Sequence, residues 1–564
     1  MENKEYMLID GNPVEINGEK NLLEVIRKAG IELPTFCYHS ELSVYGACRM
    51  CMVENSHGGM EAACSTVPKA GMEIYTNTER LHKHRKMILE LLLANHCRDC
   101  TTCQKNGKCR LQELASLFGL ESIRFKNLKP EPELDTSSLS IIRDAHKCIL
   151  CGDCVRMCNE IQNVGAIDFV NRGSKMVIGP AFNEPIANSP CVGCGQCAAV
   201  CPTGAIVIRK DTGRVWPELN DKNTKVVAQV APAVRVAMAK EFGLPENENS
   251  MGRITAALRR LGFDEVYDTA TGADLTVLEE SNEFLQRIEA GENLPLITSC
   301  CPAWIQYCEK NHPELMKNIS TCKSPMQMFS SVIKAEYANS SRRVVCVAIM
   351  PCTAKKFECA REEFMHDGVP ETDYVITTQE LIQMIHKAGI VFDELEPEAV
   401  DPEFSTSTGA GVIFGVTGGV TEAVLRRLST DKSKKALMSI AFNDVRGMKG
   451  VKETTIPYGD KEVRIAIVSG LKNAESVIQA LKNGEHFDFI EVMACPGGCV
   501  AGGGQPFGTN ATKEVRGKAL YSADKMLSIK RSEENPLMLS LYDGVLKGRV
   551  HELLHVHYNH KEEE

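Results

Sequence analysis

The sequence predicts a multidomain protein of mixed α/β and α+β class, in which small cysteine-rich modules lead into one large α/β domain. Three observations carry that reading. The chain has 564 residues, more than one hydrophobic core organises, so about four domains are expected. Its 25 cysteines fall mostly into tight groups between residues 37 and 201. From Lys225 onward, apolar runs of strand length alternate with helical stretches.

Composition narrows the class further. Hydrophobic content of 43% and charged content of 24% are ordinary for a globular protein. No apolar run approaches the ~18 residues of a membrane span, and MENKEYMLIDGNPVEING has neither a secretion h-region nor a twin-arginine signal, which predicts a cytoplasmic location. A net charge of -10 argues against a nucleic-acid partner. A reducing cytoplasm would keep thiols open, so the cysteine groups point to metal rather than to disulfides. Cys97, Cys308, Cys322, Cys346 and Cys359 fit no ligand pattern and read as packed thiols.

In the first segment, residues 1–78, short apolar runs and turn residues suggest two strands, a helix and a cysteine-rich loop. Cys37, Cys48, Cys51 and Cys64 follow C-x10-C-x2-C-x12-C. Four thiolates suit a 2Fe-2S centre; a four-cysteine zinc site is the alternative, although structural zinc more often uses two short Cys-x2-Cys pairs. Residues 79–125 open on an amphipathic helix, ERLHKHRKMILELLLANH, that runs into His96, Cys100, Cys103 and Cys109. One histidine and three cysteines complete a four-ligand shell for a metal centre.

A proline-bearing polar stretch, Lys129 to Ser138, reads as a boundary. Residues 139–209 then carry C-x2-C-x2-C-x3-C twice, at Cys148, Cys151, Cys154 and Cys158 and at Cys191, Cys194, Cys197 and Cys201. This is the bacterial two-cluster ferredoxin run, in which the fourth cysteine of each unit serves the other cluster. The expected sets are Cys148, Cys151, Cys154 with Cys201, and Cys191, Cys194, Cys197 with Cys158.

From residue 225 to 510 the alternating pattern predicts parallel sheets with helices on both faces and motifs where strands end. Residues 511–564 read as a helical extension. Three motifs stand out: TSCCPAW from Thr298, MPCTAKKFE from Met350 and EVMACPGGCVAGGGQP from Glu491. Cys495 and Cys499 are four apart, so a helix there would aim both sulfurs the same way; alone, the pair would equally suit zinc, a disulfide or buried thiols.

Taken together and in this order, the three motifs resemble the signatures of the FeFe-hydrogenases, the iron-only enzymes, and the likeness covers most of the chain. The N-terminal modules resemble those of the same family and of the large iron-sulfur subunit of respiratory complex I. The resemblance implies a β-grasp ferredoxin-like N-terminus and a two-lobed catalytic domain with the H-cluster in its cleft. That cofactor is a 4Fe-4S cubane joined to a two-iron unit bearing carbon monoxide, cyanide and a bridging dithiolate. It also implies one 2Fe-2S and three accessory 4Fe-4S clusters as an electron relay. Cys301, Cys352, Cys495 and Cys499 are implied to hold the cubane, Cys499 bridging to the two-iron unit.

By the same resemblance Lys355 donates to a cyanide, and Pro232, Ser324, Pro325, Met350, Pro351, Phe414 and Met493 match pocket positions. Cys300 is implied to pass protons to the dithiolate amine, with Glu280, Glu283, Ser320 and Arg287 as the route inward; Glu280 and Glu283 would share a helix face. Two residues depart from the pattern. Ala233 stands where some members have serine, and Met326 where glutamine is common, each removing a donor and predicting altered inhibitor sensitivity or bias between H2 production and uptake.

The expected activity is interconversion of H2 with protons and electrons, with ferredoxin or flavodoxin as redox partner and maturation proteins supplying the two-iron unit. An alternative is the catalytic subunit of a heteromeric NAD(P)-linked or electron-bifurcating complex with flavin-containing partners; a non-catalytic assembly factor or hydrogen sensor is a third reading. Two motifs are weighed and set aside. Ser407 to Gly419 loosely resembles a dinucleotide loop without fitting G-x-G-x-x-G, and His551-Glu552-Leu553-Leu554-His555 matches the zinc-protease H-E-x-x-H without further apparatus.

Overall fold

The computed structural model describes residues 5–127, 133–429, 445–447, 450–458 and 461–558; of the boundary stretch Lys129–Ser138, residues 129–132 lie outside that set. At the N-terminus, strands Glu5–Ile9 and Asn12–Ile16 pair antiparallel across Asp10 and Gly11, both at positive φ as a two-residue hairpin turn requires. They join Glu73–Tyr75, Met52–Asn55 and Met60–Ala62 in a five-stranded sheet. Helix Leu22–Lys28, capped by the Asn21 side chain, packs Leu22, Leu23, Val25 and Ile26 into its core. The last three strands, three or four residues each, are too short for alternation to reveal them.

Helix Glu79–Ala94 starts at a Thr78 cap. Buried Arg85 ties it to the sheet domain, donating to the carbonyls of Met50, Met52 and Thr76. In the two-unit module, strands Ile141–Arg143 and Ile206–Ile208 pair antiparallel. Gly152 and Gly195, both in the left-handed region, begin equivalent short helices.

The large domain holds two four-stranded sheets. One is parallel throughout, in the order Glu265–Asp268, Thr224–Val230, Arg343–Met350, Tyr374–Thr377. The other runs Leu296–Ile297, Phe489–Met493, Lys461–Ser469, Val451–Tyr458, and its last pair is antiparallel. This corrects the expectation of purely parallel sheets. Val451–Tyr458 is an edge strand with alternating exposure, a pattern an antiparallel pair tolerates because one face can stay wet. The 21-residue helix Ala270–Ala290 is buried along most of its length and packs against helices Pro325–Glu336, Gly409–Val412 and Gly419–Leu428. The C-terminal helices Asn510–Met526, Pro536–Asp543 and Val550–Leu554 wrap this domain, and residues 321–323 pair with residues 554–556 through two backbone bonds.

Candidate active site

Four strands from both sheets end at one place. Val230 leads to Pro232, Ile297 to the Cys300–Cys301 pair, Met350 to Cys352, and Met493 to Cys495. Together with Phe414 and Lys355 these ends line a cavity that is overwhelmingly apolar. Cys301, Cys352, Cys495 and Cys499 all line it, as do Cys300, Pro325, Pro351, Ala233 and Met326. Ser324 stands behind this wall; it caps helix Pro325–Glu336, and its Oγ is buried without a hydrogen-bond partner among the described residues.

The Cys495–Cys499 segment is a turn leading into a single 3-10 turn, Cys499–Ala501, and not the α-helix considered from spacing. Gly497 and Gly498 both take positive φ, which breaks a helix. At Gly498 a Cβ would come within 2.5 Å of the Thr417 nitrogen, so only glycine lets the loop pass.

Burial dominates the chemistry of the four thiols. It pushes Cys352 up to about 11, with Cys301 adding repulsion, and pushes Cys495 higher still, aided by Cys352, Cys301 and Cys499. Four buried sulfurs that oppose one another's ionisation are the kind of set that a cationic metal centre relieves. Ala494 N–H points at Cys301 Sγ (3.5 Å) and the Gln196 amide donates to Cys495 Sγ (3.2 Å). Gln196, from the second ferredoxin-like unit, was not legible as a site residue, since nothing in its own segment marks which sulfur it meets.

Lys355 is buried beside the cavity. Its Nζ pairs with Glu358 at 2.7 Å and lies 3.4 Å from the Cys300 carbonyl. Cys300 is held as a thiol first by burial, then by the neighbouring Glu280 and Cys301 charges. Glu280 is fully buried, and neither carboxyl oxygen has a hydrogen-bond partner among the described residues. Burial and repulsion from Glu283 raise it to about 8, the nearby Ser320 hydroxyl partly opposing them. Ser320 donates to Glu283 at 2.8 Å, and Glu283 pairs with Arg287 at 2.6 Å. Thr321 N–H, which no sequence signal singled out, also donates to both Glu283 oxygens. Ser320, Glu283 and Arg287 are thus joined by hydrogen bonds, while buried Glu280 is near enough to feel Glu283 and to act on Cys300 without being bonded to either.

The accessory cysteines gather as well. In the N-terminal domain the Cys48 N–H donates to Cys37 Sγ at 3.3 Å, and the Cys37 and Cys64 thiols are pushed up, first by the neighbouring Cys48 and Cys51 thiols respectively and then by burial. Cys109 feels Cys103 and Cys100, and His96 is buried just past the helix that precedes them. A cavity of about 420 Å³ is lined by Cys148, Cys151, Cys154 and Cys201, the crossed set. Cys197 is opposed by Cys191 and Cys158, and Cys194 by Cys197 and then Cys495. The second ferredoxin-like unit thus abuts the main cavity. Thr353, next to Cys352, donates to the Gly193 carbonyl at 2.7 Å, and a Cβ on Gly503 would strike the Cys194 carbonyl at 2.4 Å.

Comparison with known proteins decides the family. Residues 224–503 match the iron only hydrogenase large subunit, C-terminal domain. The chain is 41% identical to the NADP-reducing hydrogenase subunit HndD of Solidesulfovibrio fructosivorans, over 98% of each chain. The chain belongs to the iron-only, or FeFe-, hydrogenase family. This hydrogenase is also 35% identical to iron hydrogenase 1 of Clostridium pasteurianum, covering 98% of this chain and 99% of that one. An FeFe-hydrogenase structure from Chlamydomonas reinhardtii superposes with a TM-score of 0.54 at 37% identity, over 62% of this chain and 98% of that one.

Other models match along the hydrogenase: a 2Fe-2S iron-sulfur cluster binding domain at 6–79, an NADH-ubiquinone oxidoreductase-G iron-sulfur binding region at 85–124, a 4Fe-4S dicluster domain at 147–209 and an iron hydrogenase small subunit at 510–561. It is therefore an oxidoreductase that interconverts H2 with protons and electrons, with 2Fe-2S and 4Fe-4S clusters and an H-cluster as cofactors. No described helix is long and apolar enough to cross a membrane. The two set-aside motifs have other uses. Ser407–Gly419 forms a Thr408-capped turn of helix and delivers Phe414 to the cavity. The helix Val550–Leu554 is five residues long, too short to hold both histidines of a protease site.

Proposed function

We propose that Cys301, Cys352, Cys495 and Cys499 hold the H-cluster cubane in this cavity, and that Cys300 is the thiol serving it with protons. The observation that carries this reading is the convergence of those five sulfurs, from three remote loops, on one apolar cavity. Bound there, the H-cluster supplies the iron chemistry that makes or splits the H–H bond. The chain's own residues do the rest. Pro232, Pro325, Met350, Pro351, Phe414 and Met493 exclude water, and Lys355 offers a cation to the cyanide side. Ser324 steadies the Pro325 wall from behind.

Protons travel between Cys300 Sγ and the exterior through Glu280, Ser320, Glu283 and Arg287. A carboxyl raised to about 8 is suited to the task, because at neutral pH it can both hold and release a proton. Electrons enter through the cluster held by Cys191, Cys194, Cys197 and Cys158, since Gln196, between Cys194 and Cys197, donates to Cys495 Sγ. The cluster of Cys148, Cys151, Cys154 and Cys201, that of His96, Cys100, Cys103 and Cys109, and the 2Fe-2S centre of Cys37, Cys48, Cys51 and Cys64 extend the chain outward. The five-stranded N-terminal sheet with its packed helix suits a β-grasp ferredoxin-like module, and the domain limits 1–78, 79–125, 139–209, 225–510 and 511–564 follow from these groupings.

Cys300→Ala tests the reading: iron content and the carbonyl and cyanide infrared bands persist while turnover nearly vanishes. Normal turnover in that variant removes Cys300 from the mechanism. For electron exchange, ferredoxin or flavodoxin is the simplest partner in the cytoplasm, with maturation proteins delivering the two-iron unit. A relative named as an NADP-reducing hydrogenase subunit, aligned end to end, favours a heteromeric NAD(P)-linked complex as a second reading. Copurification with a flavin-containing subunit that confers H2-dependent NAD(P)+ reduction decides between them.

A further inference from the structure

His555, the second histidine of the H-E-x-x-H string, lies beyond the last residue of its short helix, and Glu552 of that string pairs with Arg549 at 2.7 Å instead. His555 faces inward. It forms an isolated antiparallel bridge with Cys322, flanked by the backbone bonds from Lys323 N to the Leu554 carbonyl and from Val556 N to the Thr321 carbonyl. One donor atom each from Glu283, Cys322 and His555 lies within 4.8 Å of the other two. The Cys322 thiol already reaches Glu283 Oε2 at 3.8 Å.

Around a tetrahedral zinc ion, with Zn–S of ~2.3 Å and Zn–N or Zn–O of ~2.0–2.2 Å, donor atoms sit roughly 3.3–3.8 Å apart. The three atoms are thus about 1 Å from closing on a common centre. Their backbone is fixed by the paired segments and by helix Ala270–Ala290. The histidine also has the outer partner that metal-bound imidazoles characteristically have. Its Nε2 meets Glu279 Oε2 at 3.1 Å, and Glu279 is held in turn by the Tyr542 hydroxyl. A proton on Nε2 leaves Nδ1 with its lone pair, which faces the Thr321 hydroxyl at 2.9 Å. A carboxylate orienting the far nitrogen of an imidazole fixes its tautomer for ligation.

The geometry points to a binding site for a divalent transition-metal ion of zinc-like borderline softness, made by Glu283, Cys322 and His555 with Glu279 as the orienting carboxylate. Thiolate, imidazole and carboxylate form a mixed donor set that selects such an ion over magnesium or calcium, and water completes the shell. An ion there engages the carboxylate that Ser320 and Arg287 otherwise share, so occupancy slows proton passage. That consequence rests on the relay proposed above; the site itself does not.

Zinc is the probe. The anaerobic holoenzyme is equilibrated with Zn2+, passed over a desalting column, and its zinc is counted and examined by zinc-edge X-ray absorption. The expected result is one retained zinc with a single sulfur at ~2.3 Å and light atoms near ~2.0 Å. Cys322→Ala and His555→Gln lose that retention, and Glu279→Gln weakens it by ~10–100-fold. Equal retention in the parent and both ligand variants, or a shell of light atoms alone, overturns the site. Turnover is read against each variant's own zinc-free rate: zinc slows the parent and leaves His555→Gln at its own rate. Retained zinc with undiminished parent turnover upholds the site and removes Glu283 from the relay.

Discussion

Glu280→Gln separates the relay from mere burial. The substitution keeps shape and removes one exchangeable proton, at a carboxyl that is fully buried and raised to about 8. Loss of a positioned acid–base group costs ~10²–10⁴ in rate, or about 3–5 kcal/mol in barrier. The same proton leaves a thermodynamic mark. The folded protein holds it up to about pH 8, whereas an unfolded chain releases it near 4.5. Folding is therefore penalised increasingly as pH rises through that window, and the penalty, of order 5 kcal/mol, is complete only above the upper value.

The glutamine variant carries no such penalty. Its thermal transition should move upward relative to the parent between mildly acidic and mildly alkaline pH, with little difference at the acidic end. H2 evolution from a reduced viologen dye gives the rate, calorimetry across that pH range gives the stability, and infrared bands certify that the cofactor is intact. A variant with intact bands and turnover within about threefold of the parent refutes the relay. A pH-independent stability difference refutes the raised carboxyl.

Three other outcomes follow from the same geometry. Lys355→Met strands Glu358, which is 2% exposed, and should destabilise the catalytic domain by ~3–5 kcal/mol; adding Glu358→Gln restores the thermal transition but not retention of the two-iron unit, as scored by infrared bands. Gln196→Leu removes the donor to Cys495 Sγ, which stabilises the more reduced, more negative cluster, so the midpoint potential of the H-cluster falls in a redox titration followed by electron paramagnetic resonance. Ala233→Ser returns a hydroxyl to a cavity wall that now has only a methyl there and shifts carbon monoxide inhibition; identical inhibition curves would mean that this departure from the family pattern is silent.

Much of this protein was written locally. Cysteine spacing is a short-range property, because a loop that holds two or three ligands of one cluster must carry them within a few residues. The groups at residues 37–64, 96–109, 148–158 and 191–201 were accordingly readable, along with the amphipathic helix that begins at Glu79; the turn at Gly497–Gly498 was not, since the Cys-x3-Cys spacing suits a helix as well. The two short strands after residue 50 and the third at Glu73–Tyr75 were not, since three residues carry no period. Nor was the antiparallel edge Val451–Tyr458, whose direction depends on its neighbour.

Which distant groups meet was decided only by tertiary packing. Residues 301, 352 and 495 are joined because strands from two different sheets all end at one cleft, and chain entropy gives the sequence no local record of that meeting. The raised carboxyl of Glu280 exists only once helix Ala270–Ala290, which carries both Glu280 and Glu283, is buried, for desolvation has no meaning along an isolated segment. Cys322 and His555 show the same division. In the sequence one is an ordinary packed thiol and the other part of a borrowed-looking motif; the C-terminal segment, laid antiparallel on residues 321–323, is what turns them toward the same carboxylate.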